Sequence, residues 1–100
     1  MAAYKTRRGV VLTCICGEYL LVAAKSLSDQ VPFATQINES SAFLWRALEE
    51  GADEEALSKA VLEEYEIDDP AAAKAAIRAF LDQMLQFGYL IEESEESDDR

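Results

Sequence analysis

The sequence predicts an α+β domain in which a small three-stranded antiparallel sheet is followed by three helices packed on one side of it. Three observations predict this. β-branched and apolar runs crowd in before residue 38, and helical spacing of apolar residues begins at Asn38. Asparagine, aspartate, proline and glycine then fall where helices need caps and stops. Strands followed by helices, rather than alternating with them, indicate an α+β architecture.

Residues 10–16, Val-Val-Leu-Thr-Cys-Ile-Cys, read as a first strand, and residues 19–24, Tyr-Leu-Leu-Val-Ala-Ala, as its hairpin partner. Between them Gly17-Glu18 reads as a tight turn with glycine at its first central position, as a type II′ turn requires. Neither strand alternates cleanly, so part of each face is expected to be covered. Residues 25–32 are polar and read as a loop. Phe33, Ala34, Thr35, Gln36 and Ile37 form a short third strand, with Phe33, Thr35 and Ile37 on one face. Pro32 is acceptable just before a strand, and this last, short strand is expected at a sheet edge.

Asn38 is placed to cap a helix that turns Ala42, Phe43, Trp45 and Leu48 to a core and stops at Gly51. Asp53 is placed to cap a second helix, with Glu54 and Glu55 in its favourable first turn and Leu57, Val61, Leu62 and Tyr65 as its apolar stripe. Asp69-Pro70 is a cap followed by proline at the first helical position, where a missing N–H costs nothing. This third helix should run to about Phe87 and end at Gly88, leaving Tyr89-Leu90-Ile91 as a short apolar closing segment. Trp45 reads as a core aromatic.

One hundred residues, half of them hydrophobic, suffice for one domain with its own core. The organisation expected is a folded body over 1–91 and an acidic, disordered tail over 92–100. That tail holds six acids, and the body keeps eight basic against fourteen acidic residues. A nucleic-acid binder must neutralise phosphates, so this balance argues against one. No apolar run reaches the length of a membrane span, and the first residues lack a signal-peptide core, so a cytoplasmic location is expected.

The chain has no histidine. It also lacks a nucleophile elbow, a phosphate-binding glycine loop and any catalytic constellation, so no enzyme is expected. Cys14 and Cys16 form a C-x-C whose members would share one face of a strand. Structural zinc usually takes four ligands, so these are expected to be buried, reduced thiols, with neither a metal nor a cofactor.

The third helix is unusual in the width of its apolar arc. Ile77, Leu81 and Met84 lie near the centre, Leu85 on one flank, and Ala73, Ala76, Phe80 and Phe87 on the other. The arc spans roughly 160°, wider than one docked face needs. One edge of it could line a groove beside the third strand. Unpaired backbone groups of an edge strand can accept an extended peptide, while helix pockets read its side chains.

The series Ile37-Asn38-Glu39-Ser40-Ser41-Ala42-Phe43-Leu44-Trp45, then Leu48, Gly51, Glu54-Glu55-Ala56-Leu57, Leu62-Glu63-Glu64-Tyr65, Ile77, Phe80-Leu81 and Phe87-Gly88-Tyr89-Leu90 resembles the PqqD family. The resemblance covers roughly residues 8–91. It implies a winged-helix-like, non-catalytic domain that binds the leader of a ribosomally made precursor peptide. Such a domain presents the leader to a modifying enzyme, often a radical S-adenosylmethionine (radical SAM) enzyme. It further implies that the leader pairs with Phe33, Ala34, Thr35, Gln36 and Ile37 and lies against Ala73, Ala76, Ile77, Phe80 and Met84. Family members often carry an acid where this chain has Ala76.

A winged-helix DNA-binding regulator is the competing reading, because fold alone does not fix function. Its recognition helix would need basic and amide side chains; the second helix offers only Lys59 among five acids, and the third offers Lys74, Arg78 and Gln83. The uncovered edge strand also makes a homodimer a second use of the same backbone groups.

Overall fold

A computed structural model describes residues 3–27 and 29–93. It is an α+β fold with a three-stranded antiparallel sheet and three helices, as expected, and with further strands the sequence did not announce. In order, the elements are β1 (Ala3–Thr6), β2 (Val10–Ile15), β3 (Glu18–Ala23), β4 (Ala34–Ile37), α1 (Glu39–Leu48), β5 (Ala52–Asp53), α2 (Glu54–Glu64), α3 (Pro70–Phe87) and β6 (Leu90–Glu93). Strands β2, β3 and β4 form one antiparallel sheet in that order, and β5, β1 and β6 form a second.

The hairpin is shorter than expected and its turn sits one residue earlier. Ile15 pairs with Glu18, so Cys16 and Gly17 are the central turn residues. Their φ angles are 53° and 79°, both positive, the requirement of a type I′ turn rather than the expected II′. The I′ twist matches the right-handed twist of the flanking strands. The same shift takes Cys16 out of β2, and both Cys14 and Cys16 are exposed. The expectation of buried thiols fails because the hairpin tip extends beyond the core: Val10 is buried, Leu12 half-buried, and Cys14 on the same face is bare.

The helix caps are where the sequence put them. The Asn38 carboxamide accepts the Ser41 N–H, the Asp53 carboxylate accepts the Ala56 N–H, and the Asp69 carboxylate accepts those of Ala71 and Ala72. Gly88 closes α3 with φ 87°, and a Cβ there would stand 2.8 Å from a Val31 methyl. Neither the left-handed backbone nor the space would suit a larger residue.

The second sheet joins the ends of the described chain. Ala3 pairs with Glu93 and Thr6 with Leu90, while Tyr4 faces Ala52 of β5 on the other side. The Arg7 N–H continues the ladder onto the Tyr89 carbonyl at 2.8 Å. The closing segment expected at residues 89–91 is therefore a strand, and it runs two residues into the stretch expected as tail. Residues 94–100 of that stretch lie outside the described residues.

The core lies between the two sheets and the helices. Trp45, Tyr89, Leu21, Leu48, Leu57, Ile77, Leu81 and Met84 are fully buried, and Trp45 meets Tyr89 edge-to-face at 6.4 Å. Each buried aliphatic side chain contributes about 1.5–3 kcal/mol of burial free energy. Leu62 departs from its expected stripe and is exposed, since Leu57 and Ser58, with Val61 half-buried, turn inward on α2. Arg78 bridges Glu54 at 2.9 Å and Asp82 at 2.6 Å, and lies over the Tyr4 ring. The hydrogen bond to Asp82, followed by that to the Tyr4 hydroxyl, raises its already high pKa, so it stays cationic throughout the pH range of folding. Among the described residues, no helix is long and apolar enough to cross a membrane.

Candidate functional site

Among the described residues, strand β4 has a neighbour on one side only. Its register, Thr35 with Leu21 and Ile37 with Tyr19, and the Ala23 N–H donated to the Phe33 carbonyl at 2.8 Å identify the residues bonded to β3. They are Phe33, Thr35 and Ile37. Hydrogen-bonding direction alternates along a strand, so Ala34 and Gln36 turn their N–H and C=O groups to the free side. Four backbone groups are thus available to an incoming strand.

Tyr89 fixes the position of this edge. Its hydroxyl donates to the Pro32 carbonyl at 2.8 Å and shares a 2.8 Å hydrogen bond with Thr35 Oγ1. A residue two positions before the strand and one within it are thereby tied to a fully buried ring. Phe33 is 63% exposed, and Ala34 and Gln36 are exposed as well. Gln36 donates to Glu18 at 3.1 Å across the outer face of β4.

Beyond the strand the surface is hollowed. A cavity of about 310 Å³ lies between α1 and α3, lined by Asn38, Leu44, Ala76, Ala79, Phe80 and Gln83 among others. Asn38 directly follows β4, so this hollow continues the free edge. A second cavity of about 330 Å³ adjoins it, sharing Ser40, Leu44 and Ala76, and reaches Val61, Tyr65 and Ile67.

The residues expected at the site divide accordingly. Phe33, Ala34 and Gln36 are accessible along the edge, while Thr35 and Ile37 are half-buried beneath it. On α3, Ala76 is exposed and Ala73 half-exposed, both bordering the hollows. Ile77, Phe80 and Met84 belong to the core, at 2%, 7% and 1% exposure. Ile77 and Phe80 floor the two cavities; Met84 lines neither. The wide arc of α3 arises because its centre is core and only its alanine flank is open. Ala79 and Gln83, one turn and two turns beyond Ala76 on that flank, were not anticipated, although following the stripe would have found them.

Among the described residues no group of three or more histidine, cysteine, aspartate or glutamate side chains could hold a metal ion. A strand edge with outward backbone groups, backed by small-residue hollows on a helix, is an arrangement able to accept an extended peptide as an added strand. The chain belongs to the PqqD family: the family model for coenzyme PQQ synthesis protein D matches residues 21–90.

Two solved structures resemble the whole fold. One, TbiB1 in complex with the TbiA(beta) leader peptide, has a TM-score of 0.70 at 22% identity, over 91% of this chain and 99% of that one. The other, a lasso peptide synthetase B1 complexed with the leader peptide, has a TM-score of 0.69 at 17% identity, over 88% and 96%. At these identities the likeness is one of fold. No curated protein matches the chain.

Proposed function

We propose that this protein is a non-catalytic leader-peptide carrier: it takes up the leader of a ribosomally made precursor as an extra strand on β4 and presents it to a modifying enzyme. The free backbone groups of Ala34 and Gln36, held in place by Tyr89, carry the reading. Membership of the PqqD family and the leader-bound state of both similar structures support it. In this reading Phe33, Ala34, Thr35, Gln36 and Ile37 supply the edge. Ala73, Ala76, Ile77, Phe80 and Met84 supply the wall and what backs it. The receiving enzyme is a radical SAM enzyme or another peptide-modifying enzyme. The complex works in the cytoplasm, where the exposed thiols of Cys14 and Cys16 stay reduced. The other free edge, on β2, is open to a second copy, so a homodimer would leave β4 available.

The test titrates leader peptides, taken from any precursor gene found near this one, into isotopically labelled protein. Binding at roughly micromolar Kd or tighter should slow amide exchange at Ala34 and Gln36 before any other position. Gln36→Pro removes one outward N–H while sparing the bonds to β3. It should weaken binding about tenfold with little change in melting temperature. Unaltered exchange at both amides under saturating leader would sink the proposal.

A further inference from the structure

We propose that the cavity between α1, α2 and α3 seats one large apolar side chain, aromatic or long aliphatic, of a peptide whose flanking residues are lysine or arginine. This rests on the peptide-binding reading and extends it to a second contact, beyond the segment that pairs with β4. The cavity walls are Leu44, Val61, Tyr65, Ile67, Ala73 and Ile77, and its volume is about 330 Å³. Ala73 and Ala76 matter through what they lack. Where α3 carries Ile77 and Phe80 it fills the core, and where it carries these two methyls its surface recedes. The Tyr65 ring is braced edge-to-face against Phe43 at 5.5 Å, so that wall is already formed. An apolar hollow of this kind holds its ligand by removing apolar surface from water, which calls for a bulky hydrocarbon group.

The acids at and beyond the end of α2 set the sign expected of the neighbours. Glu63, Glu64, Glu66, Asp68 and Asp69 fall within seven residues, all five exposed, and Glu66 reaches the cavity itself. Between Lys59 and Lys74 there is no basic residue. An apolar site with a carboxylate in its lining, on a segment rich in further acids, favours a ligand carrying positive charge beside its apolar centre. A second copy of this chain, at a formal −11, carries the wrong sign, as does the acidic run over residues 94–100. The cavity also adjoins the hollow beside Asn38, with Ser40, Leu44 and Ala76 in both linings. A peptide leaving the β4 edge therefore meets it next.

Three acetylated, amidated tripeptides test this on the full chain, read by amide shifts: Lys-Phe-Lys, Glu-Phe-Glu and Lys-Gly-Lys. Lys-Phe-Lys should shift Val61, Ile67 and Ala73 with a Kd in the millimolar range. Glu-Phe-Glu should bind about threefold more weakly at low ionic strength, with the gap closing near roughly 0.5 M salt. Lys-Gly-Lys should leave these amides in place. Ala73→Leu should remove the response to phenylalanine, and Glu66→Lys should narrow the preference for lysine flanks while leaving the rest of the spectrum folded. Equal responses to all three peptides would overturn the proposal, as would none at roughly 10 mM. Shifts at these amides on concentrating the protein alone would give the cavity to a second copy and overturn it too. Gln36→Pro should not alter the tripeptide response. Leader binding that fails while tripeptides still bind would count against strand pairing and not against the cavity; the reverse would count against the cavity alone.

Discussion

Single side chains decide how firmly the binding edge is held, and Tyr89 is the foremost of them. Its hydroxyl links Pro32 and Thr35 across more than fifty residues of sequence. Tyr89→Phe would leave the Pro32 carbonyl and the Thr35 hydroxyl without this partner at a cost of about 1–2 kcal/mol, measurable by urea unfolding. Thr35→Val removes only one of the two bonds and should cost less. Both substitutions should speed amide exchange in β4 more than in α3. Two glycines allow a sharper comparison. Gly17 and Gly88 have similar φ angles of 79° and 87°, but an added Cβ meets nothing within 4 Å at Gly17 and a Val31 methyl at 2.8 Å at Gly88. Gly17→Ala should therefore cost about 1 kcal/mol, the left-handed backbone alone. Gly88→Ala should cost measurably more, and equal losses would mean that Val31 gives way freely. Cys16 was not legible as a turn residue: its φ of 53° suits asparagine or glycine better, and the chain does not carry the Asn-Gly pair that marks such turns. Cys16→Asn should accordingly stabilise the hairpin by a few tenths of a kcal/mol.

Elements whose signals are local could be read in advance, and those whose signals are distant could not. The caps at Asn38, Asp53 and Asp69 and the stop at Gly88 lie within a few residues of the helices they bound, so α1, α2 and α3 were legible almost to the residue. The β4 strand was legible as an edge because it is short, follows a proline and is the last strand before the helices. By contrast β1, Ala-Tyr-Lys-Thr, has no apolar alternation of its own. It is a strand because β6 and β5 flank it, from about ninety and fifty residues away. Pairing of that range leaves no mark in a short window. The candidate site was half legible for the same reason: periodicity found the wide arc of α3 but could not say which part of it α1 and α2 cover. Depth of burial there gives a direct test. Met84→Ala should cost about 2–5 kcal/mol in unfolding experiments, as for a core residue, whereas Ala76→Ser should stay within about 0.5 kcal/mol.

At the scale of the molecule, the family match and the fold have different limits. The match begins at residue 21, yet β2 pairs with β3 along its whole length and β1 sits between β5 and β6. A fragment spanning only residues 21–90 would lose Tyr4 and Val10 from the core, and with them the centre strand of one sheet and an outer strand of the other. It should show neither a cooperative melt nor dispersed amide signals, while residues 3–93 should show both. Charge acts at this scale too. With a formal −11, the protein should bind a lysine-rich leader more weakly as salt rises from about 0.05 to about 0.5 M. An affinity indifferent to salt would leave backbone pairing and apolar contact as its only sources.

The β1–β6 ladder sets Ala3 directly opposite Glu93 on adjacent antiparallel strands, which lie about 5 Å apart. A few glycines should bridge that gap, so a chain of residues 3–93 could be closed into a ring and reopened at the exposed Cys16–Gly17 turn, giving a circular permutant with every ladder intact. In such a rewired chain the hairpin tip becomes a pair of free ends and β4 keeps its surroundings. Its melting temperature against that of the parent would report how much of the stability comes from chain order and how much from the packed layers.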